Sequence, residues 1–528
     1  MQQSIFGPIA PGSCFEYPGD IVREAHSHLS NFRRVMRSLG MAQAINHSDL
    51  GHLLHIRELL IADTHGGSGT TCVGSANTTS STNTVTSSSR CMATTGHQSF
   101  RHQPIIVTGR SGSGKSTLLA QLFTYAPDWL AENSDRDQVI RIVRQCGQSP
   151  SSNFASELLR SLCIQTSVAY GLESHLTRSA SAHELSELAI CFQELIRFRN
   201  PNDCDLLIIL DDLHHLQSAL QSSALLGWMP WHLPSNVHFI CSVALESESV
   251  LSILRSRISA ENFICLDNDH RIDSSKHCQS IYSMVQSKLR DEKRTLTSIQ
   301  WDFVRKKLNN SDLMNNNNNQ RTEQQLEALG EMTPLFANIL ATAVLSNWES
   351  FYTPEYLPTN VNELVTTILD DLEDCIPYQL VRRICAYLTC TKYGLREVEL
   401  FQLVQETLTV QIWPAIYQQQ TMKMRTTMAA SSTQTTTTDT CASSDTTTTP
   451  DPYDQPRSTS STWIILKSKM RHLLKEYFVQ GQLYYQWRSS KVAKAVQERY
   501  LTEIRQIRAI HLELATAFYN SFNEVRII

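Results

Sequence analysis

Between residues 100 and 266, short apolar runs alternate with longer stretches of helical period. The runs Ile105–Thr108, Val139–Val143, Asp205–Leu210, Val237–Val243 and Phe263–Leu266 predict strands. Helices are predicted after a glycine-rich turn at 109–114, over Phe154–Gln165, over Glu184–Arg197 and over Ser247–Arg257. Strands that alternate with helices imply a parallel sheet covered on both faces. Beyond residue 266 the period becomes helical. Ile281–Leu289, Trp301–Leu308, Glu323–Leu329 and Leu335–Asn347 read as a small bundle, followed by Val361–Cys375 and Gln379–Thr391. Gly394–Leu400 reads as a turn opening a short helix, and Trp463–Tyr477 as an amphipathic helix. Phe478–Trp487 alternates about Gly481 and predicts a β-hairpin. Helices followed by such a hairpin suggest a winged-helix module. Asp20–Arg37 and Leu50–Ile61 are helical at the other end, and Ile504–Phe522 is an amphipathic last stretch.

Three tracts break this pattern. The first, 64–99, is rich in Ser, Thr and Gly; the second, about 309–325, holds Asn315 to Asn319; the third, 418–461, is dominated by Thr, Ser and Gln. None carries enough apolar surface to offset the entropy of ordering, so all three are expected to be disordered insertions. The expected organisation is a helical linker over 1–63, an insertion over 64–99, an NTPase-type domain over 100–266 and a helical lid domain over 267–348. A winged-helix-like domain follows over 349–500, interrupted at 418–461, and a further helical segment begins at 501–528.

Composition changes this picture little. With 41% hydrophobic residues the chain can build packed cores, and its 528 residues suggest about three or four domains. No apolar run approaches the ~20 residues of a membrane span, and no signal peptide opens the chain. A net charge of −5 gives no reason to expect nucleic acid. The 14 cysteines lack paired spacing, and Cys163, Cys191, Cys241, Cys385 and Cys390 lie among apolar residues. Buried free thiols in a reducing, cytoplasmic compartment are the expectation.

Chemistry concentrates in the run Gly109-Arg110-Ser111-Gly112-Ser113-Gly114-Lys115-Ser116-Thr117, a complete G-x-x-x-x-G-K-S phosphate loop. Glycines let backbone N–H groups turn inward around phosphates, and the following helix points its positive end at the same anion. Lys115 supplies a mobile charge for the β- and γ-phosphates, and Ser116 a hydroxyl for Mg²⁺. The strand Leu206–Leu210 ends in Asp211 and Asp212. A carboxylate at the end of a strand beside the loop holds the Mg²⁺ shell, and Asp211 is the candidate, with Asp212 as a second catalytic acid. The next residues, Leu213, His214 and His215, contain no further carboxylate. Adjacent histidines do not share a face of a strand, and two readings stay open for them: one polarises water, or both hold the turn. The extra strand at Val139–Val143, between loop and acidic strand in sequence, suits the additional-strand branch of P-loop NTPases better than the kinase or small-GTPase branch.

The order of these motifs resembles a family. The phosphate loop, Cys146-Gly147-Gln148-Ser149-Pro150, Leu158–Cys163, the acidic strand, Trp228–Val237, Thr333-Pro334-Leu335-Phe336, Leu357-Pro358-Thr359, Trp487-Arg488 and Glu498–Leu501 are together similar to the NACHT-type signal-transduction (STAND) P-loop NTPases, especially those that carry WD repeats. The resemblance implies an α/β P-loop NTPase with a parallel sheet, followed by helical lid and winged-helix modules. It also implies an ATP/ADP-operated regulatory switch needing Mg²⁺, at most a slow ATPase, that controls self-association or protein partners. Under it Pro334 stands beside the nucleotide base, and Ser242 occupies the position of a phosphate-sensing polar residue. Arg255 and Arg257 are left to reach a phosphate or to face solvent, and His472 and His511 are the available winged-helix histidines. The family's acidic strand commonly reads Asp-Gly-x-Asp-Glu, so here Asp212 replaces glycine and His214 and His215 replace acids. Relatives continue into WD repeats, of which this chain shows none, so a fragment of a longer protein is expected. The rival expectation is a nucleotide-stabilised scaffold that does not hydrolyse.

Overall fold

The computed structural model describes residues 19–38, 47–61, 102–133, 138–149, 151–198, 204–216, 226–267, 274–309, 332–349, 351–352, 355–408, 459–479 and 482–525. The predicted helix Glu323–Leu329 and almost all of the three polar tracts lie outside them. Two compact units emerge. The first comprises Met1–Arg110 with Gly114–Asn268, the second Ser111–Ser113 with Asp269–Ile528.

In the first unit, α1 (Gly19–Ser38) and α2 (His47–Ile61) precede β1 (Ile105–Gly109) and α3 (Lys115–Asn133). β2 (Val139–Gln145), α4 (Ala155–Tyr170), α5 (Glu173–Ser181) and α6 (Leu185–Arg197) lead to β3 (Asp205–Asp211). β4 (Val237–Ala244), α7 (Glu248–Arg255) and β5 (Phe263–Cys265) complete it. All five strands are parallel, in the order β2-β3-β4-β1-β5. β4 therefore separates the loop-bearing strand from the acidic one, as the additional-strand branch requires.

The strand sequences explain the layering. Every residue of β1, β3 and β4 is buried. Alternate side chains serve opposite faces: Leu206, Ile208 and Leu210 join the layer of α4, α6 and α7, while Leu207 and Ile209 join that of α1, α2 and α3. Each such Leu or Ile contributes about 1.5–3 kcal/mol by leaving water. Continuous apolar runs are what a sheet buried on both sides demands.

α1 and α2 are not a linker standing before the domain. Leu29, Phe32, Leu53, Ile56 and Leu60 pack in one cluster with Ile105, Val107, Leu118 and Leu122. α5 has no counterpart among the predicted helices, because Glu173–Ser181 is mostly polar and buries only Leu176 and Ser179.

The second unit contains α8 (Ser274–Asp291), α9 (Ser298–Asn309), α10 (Pro334–Ile339), α11 (Val361–Glu373), α12 (Tyr378–Cys390), β6 (Leu395–Arg396) and α13 (Glu397–Glu406). α14 (Thr459–Met470), β7 (Leu474–Val479), β8 (Gln482–Trp487), α15 (Ser490–Tyr500) and α16 (Ile504–Val525) follow. β6, β8 and β7 form an antiparallel sheet in that order. The predicted helix Trp463–Tyr477 is corrected here: it ends at Met470, and Leu474–Val479 pairs with β8 from Leu474↔Trp487 to Val479↔Gln482. Cross-strand pairing overrides the local helical period. α16 docks through Ile510 and Leu514, with Glu513 accepting from Arg383 (2.9 Å) and from the Tyr387 hydroxyl (3.0 Å).

Candidate nucleotide site

β1 delivers Gly109 to the C-terminal edge of the sheet, and α3 begins six residues later at Lys115. The intervening turn needs glycine: Gly112 and Gly114 sit at φ of 85° and 100°, where a Cβ is strained. Arg110 N–H donates to Asp267 Oδ2 (2.5 Å), which fixes the entry to the turn from the end of the β5 segment. Lys115 is buried, and its Nζ donates to the carbonyls of Gly109 (2.8 Å) and Arg110 (3.0 Å). The ammonium is thereby stored inside the turn, satisfied by neutral carbonyls that an anion would outcompete. Ser116 and Thr117 lie half-buried in the first turn of α3, where N–H groups have no intrahelical acceptor.

Asp211 closes β3 two strands from β1, roughly 10 Å across the sheet at ordinary strand spacing. It is buried, and its Oδ1 accepts from Ser242 Oγ (2.6 Å) on β4. The same Ser242 oxygen accepts from the Asp212 amide (2.8 Å). One hydroxyl thus ties the acidic strand's carboxylate and the following peptide to the intervening strand. Asp212 is left-handed, at φ 57° and ψ 46°. That is the conformation glycine takes most easily and aspartate tolerates, which accounts for Asp212 at a position where the resembled family carries glycine.

The chain then makes a single 3-10 turn, Leu213–His215. The premise that adjacent histidines cannot share a side holds for a strand but not for this turn, and the rings of His214 and His215 lie 4.2 Å apart. His214 Nδ1 accepts from the Ala244 amide (3.3 Å). Burial, then the neighbouring His215 and Lys115, lower the His214 pKa to about 3, against the opposing pull of Asp211 and Glu246. His215 packs on Gly147, where an added Cβ would come within 2.5 Å of the His215 Cβ and where φ is 73°. The Cys146–Ser149 turn and the histidine turn are therefore fitted to each other.

A second polar constellation lies beside this edge of the sheet. Glu24 on α1 takes Arg144 Nη2 (2.7 Å) on one oxygen and Ser149 Oγ (2.5 Å) on the other. The Gln145 amide donates to His28 Nδ1 (2.7 Å), and Asn31 Nδ2 to Gln148 Oε1 (3.3 Å). All six side chains are buried. Burial pushes the Glu24 carboxyl up, but His28, Arg144 and Ser149 outweigh it and hold the group well below the usual carboxylate range. Sequence reading missed this network. Its signal is the polar stripe Glu24, His28, Asn31 at helical spacing on α1, matched by the polar pair Arg144-Gln145 at the end of β2.

The structure thus gathers Gly109, Arg110, Gly114, Lys115, Ser116, Thr117, Asp211, Asp212 and Ser242 at one edge of the first unit. Arg255 and Arg257 are engaged elsewhere. Arg255 pairs with Glu248 (2.8 Å) on the surface, and the Arg257 guanidinium lies 5.0 Å over the Trp231 ring. In the second unit Pro334 is the first residue of α10, capped by Thr333, whose hydroxyl accepts from the Phe336 amide. His472 is lowered to about 4 by burial, then by Arg471 and Arg488, and His511 is exposed.

These residues fit a nucleotide phosphate and Mg²⁺. The Ser113 hydroxyl is buried with no hydrogen-bond partner among the described residues, the turn is shaped by positive-φ glycines, and a lysine and a carboxylate flank it. Among the described residues no cluster of three or more His, Cys, Asp or Glu side chains offers a metal site of its own, so a cation here would be shared with phosphate oxygens.

Known proteins point the same way. Residues 93–240 match the AAA ATPase domain. Mouse NACHT and WD repeat domain-containing protein 2 is 31% identical over 304 residues, which is 56% of this chain and 15% of that protein. Mouse NACHT domain- and WD repeat-containing protein 1 is 26% identical over 325 residues, 61% of this chain and 18% of that protein. The chain therefore spans only 15–18% of the length of these curated relatives. A structure of Orc1 from Aeropyrum pernix in complex with DNA covers 86% of this chain and 93% of its own, at 9% identity and a TM-score of 0.28, too low to compare architectures. The first unit has the α/β fold and the phosphate loop of the P-loop NTPases. Among the described residues no helix is long and apolar enough to cross a membrane.

Proposed function

We propose that the protein is an ATP/ADP-binding regulatory switch of the NACHT type. The observation that carries this reading is Lys115, buried and held on the Gly109 and Arg110 carbonyls at the mouth of β1, with Asp211 braced by Ser242 across the sheet. In this reading Lys115 leaves those carbonyls for the β- and γ-phosphates, and backbone N–H groups of Gly112 to Ser116 surround the anion. Ser116 and, through water, Asp211 hold Mg²⁺, which neutralises charge on the transferring phosphoryl group. By the resemblance, Pro334 stands beside the base. Hydrolysis is slow because His214 and His215 follow the acidic strand where a water-activating carboxylate would stand, leaving Asp212 as the nearest acid.

The partial homology to NACHT proteins supports a regulatory over a metabolic role, and so does the second unit, whose helices with a small antiparallel sheet suit a winged-helix module. Self-association or protein partners would be its output. The buried free thiols Cys146, Cys163, Cys191, Cys241 and Cys385 suit a cytoplasmic location.

One observation favours a second reading, a nucleotide-stabilised scaffold: Arg255 and Arg257, the two arginines that follow Ser242, are engaged with Glu248 and Trp231. The two readings separate by nucleotide exchange. Purified protein is assayed for bound nucleotide, then for exchange with labelled ATP in Mg²⁺ while its mass is followed by light scattering. A switch exchanges ADP slowly and changes mass; a scaffold retains ADP without either.

A further inference from the structure

The hydrogen-bonding sense of His214 is set by the backbone. Ala244 N–H, at the end of β4, donates to its Nδ1 at 3.3 Å. A peptide N–H cannot accept, so Nδ1 must present a lone pair, and the ring proton of the neutral imidazole resides on Nε2. Nε2 is a donor in this arrangement, with no lone pair to receive a proton.

The ring is also held in place. The His215 ring lies against it, tilted by 36° with centroids 4.2 Å apart, and His215 is itself seated on Gly147. Ala244 pairs with Gly109 in the β1–β4 register, so the anchor of the ring lies beside the strand end that opens the phosphate loop.

We propose that His214 reads the terminal phosphate: its Nε2–H donates a hydrogen bond to a γ-phosphoryl oxygen of the bound triphosphate, and it does not act as the base for the attacking water. The residue then distinguishes triphosphate from diphosphate and positions rather than deprotonates. No bond to His214 is made or broken. This rests on the phosphate loop holding a nucleotide, and it adds a discriminating group where no arginine directly follows Ser242.

Two substitutions isolate the role. In His214→Asn the side-chain carbonyl can still accept from the Ala244 amide, but no donor reaches as far as Nε2. In His214→Gln the amide nitrogen stands near the position of Nε2. The 528-residue protein is titrated with the non-hydrolysable analogue AMP-PNP and with ADP, both in Mg²⁺. We expect His214→Asn to lose about tenfold or more in AMP-PNP affinity, the scale of one hydrogen bond to a charged group. ADP affinity stays within twofold, and His214→Gln keeps most of the wild-type preference. Equal loss for both nucleotides in His214→Asn, or no loss for either, overturns the proposal. So does His214→Gln with unchanged AMP-PNP affinity and abolished turnover, the signature of a missing base. Wild-type protein that binds neither nucleotide overturns the phosphate-loop reading and the proposal with it, whereas an unchanged preference in a nucleotide-binding variant overturns the proposal alone.

Discussion

Replacing Glu24 with Gln tests whether α1 is an integral part of the NTPase unit. The side chain of Arg144 is 1% exposed and that of Glu24 7%, so the pair is out of water. Arg144 Nε and Nη1 have no hydrogen-bond partner among the described residues, which leaves Glu24 as the carboxylate that neutralises it. Removing one partner of such a pair leaves a buried charge unbalanced and costs about 3–5 kcal/mol. With a urea m-value of about 2–3 kcal/mol/M, the unfolding midpoint of this unit drops by roughly 1–2.5 M. Urea titration supplies the midpoint. Hydrogen exchange of the Gln145 amide, which donates to His28, reports whether α1 has released β2. The double variant Glu24→Leu, Arg144→Met removes both charges and recovers most of the loss, because a buried ion pair is often matched by apolar residues of similar volume. A Glu24→Gln loss below about 0.5 kcal/mol, or a double variant equal to the sum of its singles, refutes the reasoning.

Acidity probes the same group. Because the folded-state pKa of Glu24 is depressed, its stabilisation is present above its unfolded value of 4.5 and is lost progressively as pH falls from there through the much lower folded value. The urea midpoints of wild type and Glu24→Gln, well separated at pH 7, should therefore draw closer as the pH is lowered from 4.5 to 3; a constant gap contradicts the assignment. Gly147→Ala forces a side chain onto φ 73° and a Cβ within 2.5 Å of His215, so it should displace the histidine turn and destabilise the first unit by about 1–3 kcal/mol. Thermal unfolding supplies the stability and AMP-PNP titration the site; unchanged values in both count against the fit of the two turns.

The parallel sheet was legible because its strands are continuous apolar runs, and all five predicted strands lie within the observed ones or differ by a residue at an end. The phosphate loop was legible because glycine spacing and a following lysine are dictated by phosphate geometry. Two kinds of feature were not. Trp463–Tyr477 carries a helical period, yet its last four residues belong to a strand, since pairing with a segment further along the chain is not encoded locally. The Glu24–Arg144 pair joins residues 120 apart, and a charge buried by tertiary packing reads in sequence as an ordinary solvated one. At the site itself, Asp212 departs from the resembled family, but only the backbone explains why: an aspartate tolerates the left-handed turn that glycine otherwise supplies.

In the proposed reading the turn from Gly109 to Lys115 holds a nucleotide. Lys115→Ala removes the stored ammonium without touching the sheet, so its fold should survive, checked by circular dichroism and urea unfolding. Titration with a fluorescent ATP analogue in Mg²⁺ is the decisive measurement. We expect saturable binding to wild-type protein and a loss of roughly tenfold to a hundredfold in the variant, the scale of a charge-assisted contact to phosphate. Equal affinity in a folded Lys115→Ala protein would contradict it.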